Sequence, residues 1–189
     1  SINGPTYADG MIFVALAKGV VQAFDADSLE SLWIYHDPLK GQPNCPITVS
    51  NGYAYTGFWN SETRDGSFVC LSLTDEDPSV KNEEKYAAWR HVQAGGFYWA
   101  GACVQNGVLL VGTDDGQNLT SPVLSTGRVL LFDAATGALL DEVGGIRGDV
   151  RSTICYDSGS NAYYATSKGG EFIQIKLNAT GQKIDSKQT

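Results

Sequence analysis

Two aromatic segments contain residues whose side chains could bind a ligand. Together with their polar neighbours they comprise Phe58, Trp59, Asn60, Arg64, Phe97, Tyr98 and Trp99. Aromatic rings can stack on sugars or other flat ligands, and adjacent polar side chains can fix the orientation of the bound group. The same rings could instead fill contacts between structural units. The sequence therefore predicts a glycan or protein ligand at these segments and leaves the packing role open.

A third segment carries both signs of charge within a few residues. It contains Arg147, Asp149 and Arg151 in a glycine-rich context. Guanidinium groups bind carboxylates in a two-point geometry, so the arginines could hold an acidic ligand. They could also pair with Asp149 and neutralise one another. Both interpretations stay open at the level of sequence.

Residues for metal binding or covalent catalysis are sparse. The cysteines are too widely spaced for CxxC pairs or zinc ligands, and they could be buried thiols or form disulfides: Cys45, Cys70, Cys103 and Cys155. The chain has 2 histidines and no G-x-S-x-G element. A hydrolytic site would lack its usual nucleophile and base. We expect no catalytic residues and no resident metal.

Composition restricts the class of protein further. Hydrophobic residues make up 42% of the 189 residues and charged residues 18%, with 22 glycines, which is typical of a turn-rich globular β protein. The net charge of −8 would repel a phosphate backbone, so we expect no nucleic-acid partner. No apolar run approaches the roughly 20 residues of a membrane-spanning helix, so we expect no membrane span.

The chain repeats one pattern four times. A turn pair precedes each β-rich run, at Asp9-Gly10, Asn51-Gly52, Asn106-Gly107 and Ser160-Asn161. A second glycine then lies six residues before an equivalent position, which gives the pairs Gly19 and Asp25, Gly66 and Ser72, Gly127 and Asp133, Gly170 and Lys176. Asn-Gly and Asp-Gly are strong hairpin signals, and the runs are rich in β-branched and aromatic residues. The pattern predicts an all-β chain.

Each repeat is interpreted as four short antiparallel strands, which is the unit of a β-propeller blade. The predicted blades cover about residues 1–36, 44–92, 99–143 and 150–185 of a single segment, 1–189. The loop between the second and third strands is lengthened in blades 2 and 3, at residues 58–65 and 114–126. In a propeller this loop shares a face with the connectors between blades, so that face is the predicted binding face. The acidic segment 75–85 is predicted to be a solvated loop on the opposite face.

The turn after the third strand resembles the repeat of the quinoprotein alcohol dehydrogenase-like propellers, the PQQ-like repeat, whose signature is A-x-D-x-x-T-G-x-x-x-W. The residues that match it in blade 1 are Ala23, Asp25, Ser28 and Trp33, with Leu29 in place of glycine. Those that match in blade 3 are Asp133, Thr136 and Gly137, with Asp141 in place of tryptophan. The resemblance covers almost the whole chain and implies that Trp33 packs between neighbouring blades.

Propellers of this family usually close with about six to eight blades. Four blades therefore imply a partial propeller, which self-associates or is completed by further blades of a longer protein. The resemblance implies two functional alternatives. One is a non-catalytic scaffold or binding module of a secreted, cell-surface or periplasmic bacterial protein, which recognises a glycan, a peptide or a sister domain. The other is part of an alcohol dehydrogenase that uses pyrroloquinoline quinone (PQQ) and calcium. We favour the first, because the chain has no adjacent cysteine pair of the kind that covers the quinone.

Overall fold

The described residues, 3–117 and 126–189 of a computed structural model, form four sheets of mainly antiparallel strands. Blade 1 contains β1 (Thr6–Ala8), β2 (Met11–Leu16), β3 (Val20–Asp25) and β4 (Ser31–His36). Blade 2 contains β5 (Thr48–Ser50), β6 (Tyr53–Gly57), β7 (Asp65–Ser72) and, after the short β8 (Glu83–Lys85), β9 (Trp89–Ala94). Blade 3 contains β10 (Cys103–Gln105), β11 (Val108–Thr113), β12 (Thr126–Asp133) and β13 (Leu139–Arg147). Blade 4 contains β14 (Cys155–Asp157), β15 (Ala162–Thr166), β16 (Phe172–Leu177) and β17 (Ile184–Gln188).

This architecture confirms the all-β prediction and the four-stranded repeat. Strands follow one another in chain order within the sheets of blades 1, 3 and 4, as in a meander. No helix occurs among the described residues, so none there is long and apolar enough to cross a membrane.

The first hairpin of each blade is set by residues that tolerate left-handed backbone. In blade 2, Asn51 and Gly52 have φ angles of 49° and 79°. Two successive positive φ values define a type I′ turn, whose twist matches that of the flanking strands. Sequence-local chemistry therefore fixes where the first and second strands of the blade meet.

The signature Asp closes the turn between the third and fourth strands. One carboxylate oxygen of Asp25 accepts hydrogen bonds from the backbone N–H groups of Asp27 and Ser28, and Asp133 does the same for Ala135 and Thr136. The backbone N–H of Ser28 and that of Thr136 are the main causes that lower the pKa values of these carboxyl groups. In blade 4 Asn178 takes this role, two residues later than the repeat spacing predicts.

Each pair of neighbouring blades encloses its own hydrophobic core. Trp33 is fully buried between blades 1 and 2, as the resemblance implied, and its indole N–H donates to the carbonyl of Leu73 at 3.3 Å. Trp89 repeats this contact between blades 2 and 3 and donates to Ala134 at 2.9 Å. A Cβ built on Gly137 would lie 2.5 Å from the Trp89 ring. The Thr-Gly of the signature thus leaves space for the tryptophan of the preceding blade.

The acidic segment 75–85 differs from its prediction as a solvated loop. Its last three residues form β8, which pairs in parallel with β4 and so adds a fifth strand to the sheet of blade 1. Lys85 is buried there, and its ammonium group lies 5.1 Å from the centroid of the Trp33 ring. A segment of blade 2 therefore pairs with the sheet of blade 1, although its polar sequence predicted a solvent-exposed loop.

Candidate functional site

One rim of the blades is formed by the connectors and by the loops between second and third strands. Backbone hydrogen bonds join them: Phe97 N–H to the Phe58 carbonyl, Val150 N–H to the Thr113 carbonyl, and Lys168 N–H to the Asp149 carbonyl. We call this edge the connector rim. It brings together most of the residues that the sequence analysis selected.

The aromatic candidates separate into two groups. Phe58 and Phe97 are completely buried, in the cores between blades 1 and 2 and between blades 2 and 3. They present no surface to a ligand, so they leave the candidate set as packing residues. Trp59, Tyr98 and Trp99 form a continuous stack at the connector rim, with ring centroids 4.7 Å and then 4.3 Å apart.

Trp99 ends this stack and is 46% exposed. Its φ angle is 58°, in the left-handed region that bulky residues rarely adopt. Backbone strain of this kind persists where surrounding structure imposes it, and it is common at ligand-binding sites. Trp99 therefore combines an unusual backbone conformation with a large, partly exposed aromatic side chain.

A charged cluster lies directly beside the stack. The guanidinium of Arg151 covers the Tyr98 ring, 4.5 Å from its centroid, and donates two hydrogen bonds to Asp114 at 2.9 and 2.5 Å. Its Nη2 atom also lies 3.0 Å from Asp149 and 3.5 Å from Glu62. Three carboxylates therefore share one guanidinium. Of the two interpretations that the sequence left open for Arg151, the structure shows the pairing with Asp149.

Asp114 has an unusual protonation equilibrium. Its side chain is fully buried, and burial raises the pKa of this carboxyl to about 7 against the opposing hydrogen bonds from Arg151. The neighbouring Asp149 and Glu62 act in the same direction as burial. Near neutral pH the Asp114 carboxyl is therefore partly protonated, unlike an ordinary aspartate.

An open cleft of about 390 Å³ follows the stack along the connector rim. The residues that line it are Trp99, Arg151, Ser152, Thr166, Ser167 and Lys168. We call it the Trp99 cleft. A smaller depression of about 130 Å³ adjoins it and shares Ser152 and Thr166, and its apolar wall is formed by Cys155, Tyr164, Ala165 and Phe172. We call it the Phe172 depression.

The remaining predicted site residues lie apart from the cleft. The side-chain amide of Asn60 donates to the backbone carbonyl of Asp65, so it closes its own loop. Arg64 and Arg147 are exposed and do not line the Trp99 cleft. Within the lengthened loop of blade 3, residues 118–125 lie outside the described residues.

Sequence reasoning missed the residues that blade 4 contributes. Thr166 is the last residue of β15, and Ser167 and Lys168 come from the short turn between β15 and β16, which shows no insertion. The residue that could have indicated this contribution is Gly169, where an added Cβ would lie 2.2 Å from the Arg147 carbonyl oxygen. That close backbone approach places the turn against the third connector.

A quinone with calcium is the cofactor that the resemblance implies for catalytic members, and the residues here do not fit it. Carboxylate oxygens of Glu62, Asp114 and Asp149 lie within 4.8 Å of one another, a spacing that a metal ion could use. However, Arg151 contacts all three carboxylates and already supplies the positive charge between them. The four cysteines are free thiols on different strands or connectors.

A second cavity, of about 170 Å³, lies at the other end of blades 3 and 4. Turn residues line it, including Asn106, Asn161 and Asn178, which serve the hairpins themselves. Asn178 uses its side-chain oxygen within its own turn. The connector rim, with its exposed tryptophan and cation, is the better candidate site.

Neither a protein-family profile nor a curated protein sequence matches the chain. Solved structures do. The quinohemoprotein alcohol dehydrogenase of Comamonas testosteroni matches with a TM-score of 0.65 and 14% identity, over 98% of this chain and 34% of that chain. BamB of Moraxella catarrhalis matches with a TM-score of 0.62 and 15% identity, over 94% and 46%. The computationally designed Ika4 protein matches with a TM-score of 0.60 and 11% identity, over 92% and 89%.

These likenesses establish the fold. It is a fold of β-propeller blades. The chain spans about a third of the dehydrogenase and under half of BamB, which is consistent with a partial propeller. At such low identity the likeness carries no catalytic or binding residue from one chain to another.

Proposed function

We propose that the chain is a non-catalytic propeller module that binds an extended segment of another protein at the connector rim. The observation that carries this proposal is the groove formed by the Trp99 cleft and the Phe172 depression. Exposed aromatic residues, Trp99 at 46% and Phe172 at 65%, mark its two ends. Ser152 and Thr166 line both parts and so lie between those ends.

The groove suits a chain-like ligand better than a single flat one. Extended peptides are recognised by pockets for spaced side chains joined by polar contacts to the main chain. Here two apolar surfaces are separated by hydroxyl groups, which can donate to or accept from a peptide backbone. The volume of the Trp99 cleft, about 390 Å³, is in the range of sites for small ligands or a few residues.

Charge adds a preference for an acidic residue in the ligand. Arg151 already faces three carboxylates, so it is a positioning residue for the Tyr98 ring. Lys168 is different, because its side chain is 51% exposed and its ammonium lies 3.6 Å from Asp149. A ligand carboxylate beside Trp99 would find that ammonium accessible.

The positions of the two histidines support a non-catalytic role, because neither lines the Trp99 cleft. His36 contacts Glu84 on β8, and His91 packs against Phe132 with ring centroids 4.9 Å apart. Both histidines belong to the fourth main strand of their blades, β4 and β9. Buried Cys45 has its thiol pKa raised by burial to about 12, which leaves it unreactive.

We assign the module to a secreted, cell-surface or periplasmic bacterial protein. Its support is the low charged fraction of 18% together with a fold shared with BamB and the quinohemoprotein dehydrogenase. A glycan that stacks on Trp99 is the competing ligand, and the following experiment separates the two.

The test is selection from a displayed peptide library, run beside a glycan array on the same protein. We expect enriched peptides with two spaced apolar residues and an acidic residue, and calorimetric binding that Trp99→Asn weakens at least tenfold. Asparagine tolerates left-handed backbone, so this variant removes the ring without adding strain. The matched control is Tyr86→Asn, since Tyr86 is 80% exposed beside Glu84, outside the connector rim. Glycan binding without peptide enrichment, or equal losses in both variants, would contradict the proposal.

A further inference from the structure

The interface between blades 3 and 4 lacks the aromatic side chains of the other two interfaces. In blades 1 and 2, the second and fourth strands present bulky residues toward the next blade near the hairpin turns. They are Met11, Phe13 and Trp33 in blade 1, and Tyr53, Tyr55 and Trp89 in blade 2. The strand register of blade 3 assigns smaller residues to these positions, namely Val108, Leu110 and Asp141. Blade 3 therefore leaves space that rings fill elsewhere.

The rings of the first two interfaces carry hydrogen-bond donors that reach the next blade. The indole N–H of Trp33 donates to the carbonyl of Leu73 at 3.3 Å. The carbonyl of Ala134 accepts two such bonds, from the Trp89 indole at 2.9 Å and from the Tyr55 hydroxyl at 3.2 Å. An aromatic ring with a donor group is therefore what this position receives in both interfaces.

A glycine in the turn of blade 4 shows where the ring is missing. In blade 3 the signature pair is Thr136 and Gly137, and a Cβ built on Gly137 would lie 2.5 Å from the Trp89 ring. In blade 4 the pair is Thr180 and Gly181, and no described atom beyond the chain neighbours lies within 4 Å of a Cβ built on Gly181. The indole that covers the turn of blade 3 therefore has no counterpart over blade 4.

Asp141, which stands in place of the docking tryptophan, binds the backbone of blade 4 instead. Its carboxylate accepts a hydrogen bond from the backbone N–H of Ile184 at 2.8 Å. Leu177 occupies the position that Ala134 has in blade 3, and it lines the second cavity described above, of about 170 Å³. The missing ring therefore corresponds to an open space between blades 3 and 4.

The cavity has an apolar wall and a polar rim. The apolar side chains are Val108, Tyr163 and Leu177, and the rim includes Asn106, Asn161 and Thr180. Side-chain amides can both donate and accept hydrogen bonds. An apolar cavity of about 150 Å³ is large enough to accept benzene. The space here therefore suits one six-membered ring that carries a polar substituent.

We propose that this cavity binds a single aromatic ring that carries a hydrogen-bond donor, which is the chemistry of a phenol or an indole. The ring packs against Val108 and Tyr163, and a side-chain amide of the rim accepts its donor. Such a ring belongs to a free small molecule or to a tyrosine or tryptophan of another protein. The cavity and the Trp99 cleft share no residue, so the proposal is independent of the function proposed above.

The test is a titration of the nitrogen-15-labelled chain with phenol, followed by nuclear magnetic resonance. We expect saturable shifts of the backbone N–H signals of Ala179 and Gly181, which line the cavity, with a dissociation constant in the millimolar range or below. The indole N–H signal of Trp99 should not move. Cyclohexanol, which has the same hydroxyl on a ring that is not flat, should bind at least fivefold more weakly.

A parallel titration with N-acetyltyrosinamide distinguishes the two sources of the ring. Binding as tight as that of phenol indicates an aromatic side chain of another protein. Binding of phenol alone indicates a free small molecule, because the amide groups beside the ring then do not fit at the mouth of the cavity. Either result supports the site.

The matched variants are Val108→Tyr and Val92→Tyr. The first gives blade 3 the residue type that blade 2 has at Tyr53 and fills the cavity, so we expect phenol binding to weaken at least tenfold. The second makes the same change at a valine that is 42% exposed on β9, and it should change the affinity less than twofold. Equal affinities in the two variants, or no saturable shift in the unaltered chain, overturn the proposal.

Gly181→Ala guards against a folding defect in Val108→Tyr. It adds one methyl group on the open side of the turn, beside the cavity. We expect phenol binding at least threefold weaker, with an unchanged far-ultraviolet circular dichroism spectrum. Unchanged affinity in this variant overturns the proposal as well, whether or not Val108→Tyr folds.

Discussion

Replacing Trp89 with phenylalanine removes one hydrogen-bond donor from the interface between blades 2 and 3 and keeps an aromatic ring there. The indole N–H of Trp89 donates to the Ala134 carbonyl at 2.9 Å. The ring is 8% exposed, and its centroid lies 5.6 Å from that of Phe132 and 6.1 Å from that of Phe68. The Tyr55 hydroxyl also donates to this carbonyl, at 3.2 Å, so the substitution removes one of its two hydrogen bonds and leaves a space beside two rings.

The expected loss of unfolding free energy follows from these two effects. The net loss of one hydrogen bond costs about 0.5–1.5 kcal/mol, and shrinking a buried side chain adds about 1 kcal/mol. We expect a total of about 1.5–2.5 kcal/mol, against the ~5–15 kcal/mol typical of a domain.

The assay is equilibrium urea unfolding followed by far-ultraviolet circular dichroism. Trp99→Phe is the control, because Trp99 is 46% exposed and lies outside the inter-blade cores. We expect this control to change stability by less than about 0.5 kcal/mol, as surface substitutions usually do. If Trp89→Phe were as stable as Trp99→Phe, the indole of Trp89 would not stabilise the contact between blades 2 and 3, and the reasoning would be refuted.

Two further predictions concern the turn glycine and the buried carboxylate. Gly137→Ala should lower the free energy of unfolding in urea by about 2–4 kcal/mol, because the added Cβ meets the Trp89 ring. The control is Gly181→Ala, where φ is also positive but the space is open, and it should cost only about 1 kcal/mol. Equal costs for the two variants would contradict this explanation. The pKa of Asp114 is about 7 in the folded state, against 3.8 for an ordinary aspartate. Between these pH values the folded state binds a proton that the unfolded state does not. The free energy of unfolding should therefore fall as pH rises from about 4 to 7, by at most about 4 kcal/mol. Relative to Asp114→Asn, unfolding midpoints at several pH values should show that slope, and parallel curves would contradict it.

Much of the fold could be predicted because the repeated turns are local. A pair such as Asn51-Gly52 dictates left-handed backbone without reference to the rest of the chain. Asp25 and Asp133 likewise serve their own turns. The addition of β8 to blade 1 could not be predicted in this way. Its residues, Glu83 to Lys85, pair with a strand about 50 positions earlier, and their polarity indicated solvent.

The candidate site was predictable only in part, for a similar reason. Sequence separates aromatic from polar residues, but it does not distinguish Phe97, which fills a core, from Trp99, which is exposed two positions later. That difference depends on how the connector bends at Gly95 and Gly96, both at positive φ. The contribution of Lys168 depends on the packing of blade 4 against the third connector. Neither packing contact has a signature in the local sequence.

The most direct test of binding at the connector rim uses the indole N–H signals of the 4 tryptophans in a nuclear magnetic resonance titration. A peptide selected by the protein should shift the signal of Trp99, which is 46% exposed, and leave those of the buried Trp33 and Trp89 in place. Unchanged Trp99 with saturable binding would put the ligand elsewhere on the molecule and contradict the proposed site.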